Sequence, residues 1–252
     1  IQGPDGSRPN EKLDFSRSQH YVLAYDWTPW ADFRVKTEVY YQLLDRIPVE
    51  QSPSSFSILN IGANFDRLPD IYGAVKRGSG ENYGLELTVE KFLSKNYYFL
   101  FTTSLFESTY KGSDGQRRST AFNQQYVVNG LAGAEFWLDQ QKRKQLFFDF
   151  KGTLAGGVRY TPVDVVASRM AGETVKIDSL AFSEQARPYF RLDLKAGIRF
   201  NHKKISQEFA FNIQNITNYQ NVLTLVYDPR TEQVIERYQL GFFPIVQYKI
   251  NF

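Results

Sequence analysis

Long runs of alternating apolar and polar residues are the feature of this chain that most constrains its fold. From residue 33 to 43, apolar side chains fall at every second position, and Arg34, Lys36 and Glu38 fall between them. A period of two residues is that of a β-strand whose two faces meet different surroundings. Charged residues of both signs share the polar face, which a hydrated surface permits and a packed core does not. The sequence therefore predicts an all-β protein.

The predicted strands are joined by connections that alternate between short and long. Strands are predicted at 19–27, 33–43, 83–89, 97–105, 123–138, 146–154, 190–200, 209–213 and 241–252. Short turns are expected at about 28–32, 93–96, 139–144 and 201–204, and long loops at 45–80, 111–119, 161–187 and 219–239. Short turns on one side and long loops on the other are typical of outer-membrane barrels. The pattern predicts an antiparallel transmembrane β-barrel segment of about nine strands with long extracellular loops.

One predicted strand, 123–138, has no clear apolar face. Leu131 and Trp137 fall on one side, whereas Phe136 and Leu138 fall on the other. Its orientation in the sheet therefore stays open at this point.

The composition agrees with a barrel and excludes several other classes. The 252 residues include 21 Phe, 16 Tyr and 3 Trp, as the aromatic girdles of barrels require. No run approaches about 18 apolar residues, so helical membrane spans are excluded. The net charge of +3 is too small to predict nucleic acid as a partner. With no cysteine and two histidines, the sequence predicts no catalytic, cofactor or metal site and no enzymatic activity.

The odd number of predicted strands indicates that the sheet does not close into a barrel by itself. Bacterial single-chain barrels have even strand numbers, so nine strands are not expected to close by themselves. The first residues also lack a charged and then apolar secretion segment. We therefore expect residues 1–252 to be the carboxy-terminal part of a longer barrel, with a partial barrel completed by another chain as the alternative.

Four motifs carry a resemblance to a known family. They are residues 156–164 (GGVRYTPVD), 188–193 (PYFRLD), 212–222 (NIQNITNYQNV) and 241–244 (GFFP). Together they resemble the carboxy-terminal barrel of TonB-dependent outer-membrane receptors. The resemblance covers essentially the whole chain and is most specific from about Leu146 onward.

The resemblance implies a fold, a location and a set of partners. These nine strands would be the last nine of a 22-stranded barrel in the bacterial outer membrane, with the plug domain and earlier strands outside this chain. Extracellular loops would capture a ligand, and import would draw on an inner-membrane energy-coupling complex that acts through the region upstream. The outer-membrane lipid and a surface lipoprotein or other subunit are the remaining expected partners.

The last strand resembles a barrel-assembly signal. Val246, Tyr248, Ile250 and Phe252 fall on one face of this strand. An exposed strand edge that ends in an aromatic residue offers backbone pairing and side-chain pockets to a partner. These four residues are predicted to bind the barrel-assembly machinery, although lipid-facing girdle residues would show the same pattern.

Local motifs outside the strands are expected to be structural. Gly156 and Gly157 predict a bulge or a close backbone approach rather than a ligand contact. Asn215, Asn218 and Asn221 are expected to bond the backbone where a strand enters its loop.

The function and the ligand stay open at this level. A surface-anchored barrel that binds partners without transport is the alternative to import, and a soluble carbohydrate-binding β-domain is a third class. A metal chelate, vitamin, glycan or peptide would each suit an import receptor. The loop residues that could meet an anionic or sugar ligand are Tyr72, Arg77, Arg117, Arg118, Arg169, Tyr227 and Arg230.

Overall fold

The protein is built mainly of antiparallel β-structure in a computed structural model that describes residues 8–11, 13–62 and 73–252. The strands are β1 (Arg17–Trp30), β2 (Phe33–Val49), β3 (Val75–Ser94), β4 (Tyr97–Lys111), β5 (Arg117–Ser119), β6 (Tyr126–Trp137), β7 (Lys144–Ala155), β8 (Arg159–Tyr160), β9 (Glu184–Gln185), β10 (Tyr189–Asn201), β11 (Ser206–Gln214), β12 (Val222–Asp228), β13 (Gln233–Tyr238) and β14 (Phe243–Asn251). One α-helix, α1 (Val165–Ala171), and two single-turn 3₁₀ helices (Ile58–Asn60 and Asp178–Leu180) lie in the connections.

Nine long strands form one open sheet, as predicted. Their order is β1-β2-β3-β4-β6-β7-β10-β11-β14, and β5 adds to the end of β4. Every neighbouring pair is antiparallel. The sheet therefore follows the chain as successive hairpins, and β1 and β14 form its two edges.

The short turns all lie at one end of the sheet and the long loops at the other. Two of the turns are only two residues long, Ala31-Asp32 and Lys95-Asn96. The prediction that 45–80 is all loop was wrong at both ends, because β2 continues to Val49 and β3 begins at Val75. A bulge at Arg46, where φ is 56°, breaks the sequence alternation there while the pairing continues beyond it. The last loop holds an unpredicted hairpin, β12–β13.

The register gives the sheet one apolar face and one polar face. Tyr21, Tyr41 and Tyr83 lie opposite one another on β1, β2 and β3. Because side chains alternate along a strand, the residues two positions away share their face. We call this side the apolar face. The other side, the polar face, carries rows such as Glu38, Glu86 and Ser104.

The register also settles the orientation of β6. Ala132 lies between Phe99 of β4 and Phe150 of β7. Ala134 lies between Tyr97 and Phe148 in the same way. These two alanines of β6 therefore lie on the apolar face between large aromatic neighbours.

The well-buried side chains concentrate at the loop end rather than along the middle of the sheet. Ile47, Val49 and Tyr110 are each no more than 2% exposed. Val49 and Ile47 pack against Gly78, where a Cβ atom would overlap both of them. In the part of the chain that is described, no helix has the length and apolar character needed to cross a bilayer.

Candidate functional site

A ladder of uncharged side chains crosses the polar face near the loop end. Gln42 donates to Ser18 at 3.0 Å, and Asn82 donates to Gln42 at 2.8 Å. Ser108 donates to Asn82 at 2.6 Å, and Thr120 donates to Ser108 at 2.8 Å. This ladder, Ser18–Gln42–Asn82–Ser108–Thr120, connects four adjacent strands and the loop after β4. It fixes the side-chain orientations because each hydroxyl and amide has a partner.

A cleft of about 320 Å³ opens beside the ladder. Its apolar walls are Tyr40, Leu44, Leu59, Phe106 and Phe122. Aromatic faces beside amides and hydroxyls are a common lining of small-molecule sites. In the described chain no charged side chain lines this cleft. Its lining can stack against planar or ring-shaped groups and exchange hydrogen bonds with uncharged polar ones.

Three loops are tied together above the ladder. The backbone N–H of Ser55 donates to Asp178 at 3.1 Å, and the Ser55 hydroxyl donates to the same carboxylate. The backbone N–H of Ala121 donates to Asn60 Oδ1 at 2.9 Å. The loops after β2, β4 and β7 therefore form one connected structure, which we call the loop cluster.

A shielded ion pair holds the loop after β4. Arg118 bonds both carboxylate oxygens of Asp114, at 2.7 and 3.0 Å. These hydrogen bonds hold the pKa of Asp114 below its usual value and raise the pKa of Arg118. Only 7% of the Arg118 side chain is exposed, so solvent screens this pair weakly. Arg118 also reaches the backbone oxygen of Ser179 at 3.5 Å, which adds it to the loop cluster.

Farther from the loops, the polar face carries paired charges. Glu208 accepts hydrogen bonds from Arg199 at 2.9 Å and from Lys195 at 3.3 Å. Tyr98 of β4 donates to Asp149 of β7 past Gly133 of the intervening strand β6. Such networks hold opposite charges on a hydrated surface without leaving either sign in large excess. Within the described ranges, no three His, Cys, Asp or Glu side chains are grouped as a metal site requires.

The predicted assembly residues lie at the free edge of the sheet, three of them on β14 and one directly after it. Val246, Tyr248 and Ile250 share the apolar face, and Phe252 follows them. Val246 is 82% exposed and Phe252 is 95% exposed. The ring of Tyr248 packs on Phe209 of β11 with 4.6 Å between the ring centroids. Their role in assembly stays a prediction.

The loop residues proposed from sequence as ligand contacts are mostly engaged within the protein. Arg118 is paired with Asp114, and Arg169 is paired with Glu232 at 3.0 Å. Tyr227 is buried. Tyr72 lies outside the described residues. Arg77 and Arg117 donate through their side chains to the Gln51 carbonyl and to Glu81. Arg230 donates through its backbone N–H to Asp228.

Sequence reasoning missed the ladder. Gln42 and Asn82 are ordinary polar residues within their strands and carry no distinguishing motif. Only the register between strands brings their side chains together. A sequence signal exists in principle, since Gln42 lies just before the first predicted long loop and Asn82 lies just after it.

The three asparagines act on the backbone, as predicted. Asn215 accepts from the N–H of Tyr219 at 3.1 Å and donates to its carbonyl at 2.9 Å. Asn221 bonds both backbone groups of Phe190 at 2.8 Å. Asn218 accepts from the N–H of Phe242 at 2.9 Å. These bonds fix the start of the last long loop.

The two glycines after β7 also behave as predicted. A Cβ atom on Gly156 would overlap the carbonyl oxygen of Gln124. One on Gly157 would overlap the carbonyl oxygen of Ala186. Backbone therefore approaches backbone closely at both positions, and only glycine fits without movement.

Comparison with solved structures supports the fold. The crystal structure of the ferric-catecholate import receptor Fiu from K12 E. coli, in its closed form, matches with a TM-score of 0.58 and 10% identity. The match covers 100% of this chain and 30% of Fiu. The copper transporter OprC matches with a TM-score of 0.42 and 15% identity, over 84% of this chain and 30% of OprC. No protein-family model and no curated protein matches the sequence.

The likeness to Fiu confirms the fold that the resemblance implied. The nine-stranded antiparallel sheet has the architecture of the part of the import receptor Fiu that it matches. The chain spans less than a third of the length of either matched structure.

Proposed function

We propose that this chain is the carboxy-terminal part of the barrel of a TonB-dependent receptor in the bacterial outer membrane. Its loops and polar face capture a ligand, and the full-length protein imports that ligand with energy supplied by an inner-membrane complex. The upstream region would provide the plug and the coupling segment. The protein is not expected to catalyse a reaction.

The two-faced sheet carries this proposal. An apolar face with rows of aromatic residues suits lipid, and a face with paired charges suits a water-filled interior. Glu38 on β2 lies directly opposite Glu86 on β3. Two like charges in adjacent strands are tolerated where water surrounds them. The polar face is therefore the lumenal face of the barrel.

The ladder cleft supports ligand capture at the extracellular end. It lies on the lumenal face directly below the loop cluster, where an incoming molecule first meets the barrel wall. Hydrogen-bonding groups that are already oriented lower the entropic cost of binding. We propose that Asn82 and Ser108 exchange their ladder bonds for bonds to an uncharged polar part of the ligand.

Cysteine accessibility tests the assignment of the faces. The chain has no cysteine, so each introduced thiol in this region reports one position. Lys151→Cys lies on the polar face and Phe150→Cys lies beside it on the apolar face. In the full-length protein in cells, we expect a small water-soluble thiol reagent to label Lys151→Cys much faster than Phe150→Cys. Equal labelling, or faster labelling at position 150, would contradict the barrel.

Uptake tests the transport activity. Cells that express the full-length protein would be compared with deletion cells for uptake of a labelled ferric chelate, a cobalamin, an oligosaccharide and a peptide. We expect uptake of one compound, loss of that uptake with a protonophore, and reduced uptake with Asn82→Ala. If no compound is taken up and partner proteins copurify instead, the barrel is a surface anchor without transport.

A further inference from the structure

A second cleft lies on the apolar face, on the opposite side of the sheet from the ladder. It measures about 580 Å³. Its charged lining residues are Arg17, Asp45, Glu81, Lys111 and Arg117. Three positive and two negative side chains leave one excess positive charge in the cleft.

The cleft lies just beyond a row of tyrosines. Tyr21, Tyr41 and Tyr83 form this row on β1, β2 and β3. Tyrosine is enriched where a membrane protein passes from the apolar core of the bilayer to its polar surface. Glu81 lies two residues beyond Tyr83 on the same face, which is about 7 Å along the strand. The charged residues therefore lie at the depth of the lipid headgroups.

Carboxylates orient two of the cations without using all their donors. Arg17 contacts Asp45 through Nε at 2.8 Å. Arg117 contacts Glu81 through one terminal nitrogen at 2.8 Å and Thr109 through Nε. A guanidinium has five N–H donors, so each arginine keeps several. More than half of each arginine side chain is exposed, at 57% and 53%.

Lys111 supplies the charge that is not neutralised. It pairs across the strands with Ser79 and Arg117 at the rim of the cleft. Among the described residues it makes no ion pair. An ammonium group beside two oriented guanidinium groups is a common arrangement for phosphate, because phosphate accepts hydrogen bonds from several directions.

We propose that this cleft binds the phosphate of a headgroup in the outer leaflet of the membrane. Lys111 and the free donors of Arg17 and Arg117 hold the phosphate, and the tyrosine row contacts the upper part of the acyl chains. The proposal rests on the placement of the apolar face in lipid under the proposed function. The bound lipid is an annular partner and lies outside the import route, because the sheet separates the two clefts.

The test uses the full-length protein in detergent and bis-phosphorylated lipid A as the probe. Binding would be measured by native mass spectrometry for the wild type, for Lys111→Gln, and for the triple variant Arg17→Gln/Lys111→Gln/Arg117→Gln. A basic residue near an anionic surface contributes a factor of about five to binding. We expect about a fivefold loss for the single variant and roughly a hundredfold loss for the triple variant, because three such factors multiply. The single variant breaks no ion pair and is expected to keep its fold.

A matched control removes three charges at the other end of the strands. Arg143→Gln/Lys203→Gln/Lys204→Gln changes basic residues of the short turns and is expected to leave lipid A binding unchanged. An equal loss in this control would overturn the proposal, because the effect would then reflect total charge. Heat-dependent migration in gels would show that each variant remains a folded barrel.

Two further probes distinguish the source of the phosphate. Lipid A stripped of its phosphates is expected to bind as weakly to the wild type as intact lipid A binds to the triple variant. Inorganic phosphate at millimolar concentration is expected not to displace intact lipid A. Equal binding of the stripped lipid, or displacement by inorganic phosphate, would overturn the proposal. Failure of the proposed function is recognised separately, because thiol labelling would then not distinguish the apolar face from the polar face.

Discussion

Replacement of Gly156 by alanine tests the close backbone approach after β7. The added methyl group would overlap the carbonyl oxygen of Gln124, which belongs to backbone and not to a flexible side chain. The two segments must therefore separate. We expect this separation to lengthen or break the bond from the Gly156 N–H to the Tyr126 carbonyl, now 3.0 Å.

The expected cost follows from the bonds at this junction. Besides the Gly156 bond, Gln185 donates to the Gly157 carbonyl at 3.1 Å and Ala186 donates to the Val158 carbonyl at 3.0 Å. At about 1 kcal/mol for each bond, loss of two or three lowers the free energy of unfolding by about 2 to 3 kcal/mol.

Urea unfolding of the full-length protein in detergent, followed by tryptophan fluorescence, would measure this change. Gly130→Ala is the matched control, since Gly130 lies in β6 with nothing within 4 Å of an added Cβ. Its effect should stay within about 0.5 kcal/mol. Unfolding of both variants at the same urea concentration would show that the close approach does not constrain the protein.

Three further predictions concern the last loop, the loop cluster and the terminal residue. Asn215→Ala removes both side-chain bonds to the Tyr219 backbone and leaves alanine at a φ of 49°. It should therefore lower the free energy of unfolding by about 2 to 3 kcal/mol in the same urea assay. A change below about 0.5 kcal/mol would contradict this expectation. Because the pKa of Asp114 is lowered, its bond to Arg118 stabilises the loop fully at pH values above 3.8, the ordinary pKa of an aspartate. This stabilisation is lost as the pH falls through the lowered pKa. Pepsin cleavage of this loop would be compared between the wild type and Asp114→Asn, whose stability lacks this titration. The ratio of the wild-type rate to the variant rate should be higher at about pH 2.5 than at about pH 4.5. Identical pH profiles for the two proteins would count against the ion pair. Phe252→Ala should slow assembly of the full-length barrel in cells, as measured by the folded fraction after a pulse of synthesis, and an unchanged folded yield would argue against an assembly signal.

The number and orientation of most strands could be predicted from the sequence, and β6 shows why one could not. Alternation identifies a strand face only when its apolar residues are large. On β6 the apolar face carries the small residues Ala132 and Ala134, which lie between aromatic residues of both neighbouring strands. The sequence of β6 alone therefore does not show which of its sides is apolar. Its pairing with β4 and β7 does.

The candidate site was less predictable than the fold because it depends on register. Gln42, Asn82 and Ser108 belong to three strands, and each is an ordinary polar residue within its own strand. A shift of one residue in either pairing would separate them. The turn chemistry was easier, since Asn215 and Gly156 act on backbone close to their own strand ends.

The bond between Ser55 and Asp178 joins loops that are 123 residues apart in the chain. A substitution at either residue would leave the other polar group partly buried without its partner. Evolutionary drift in one loop is therefore constrained by the other, although surface loops usually vary freely. Among homologous sequences, we expect the residue types at these two positions to change as a pair, which would record the loop contact even where the ligand differs.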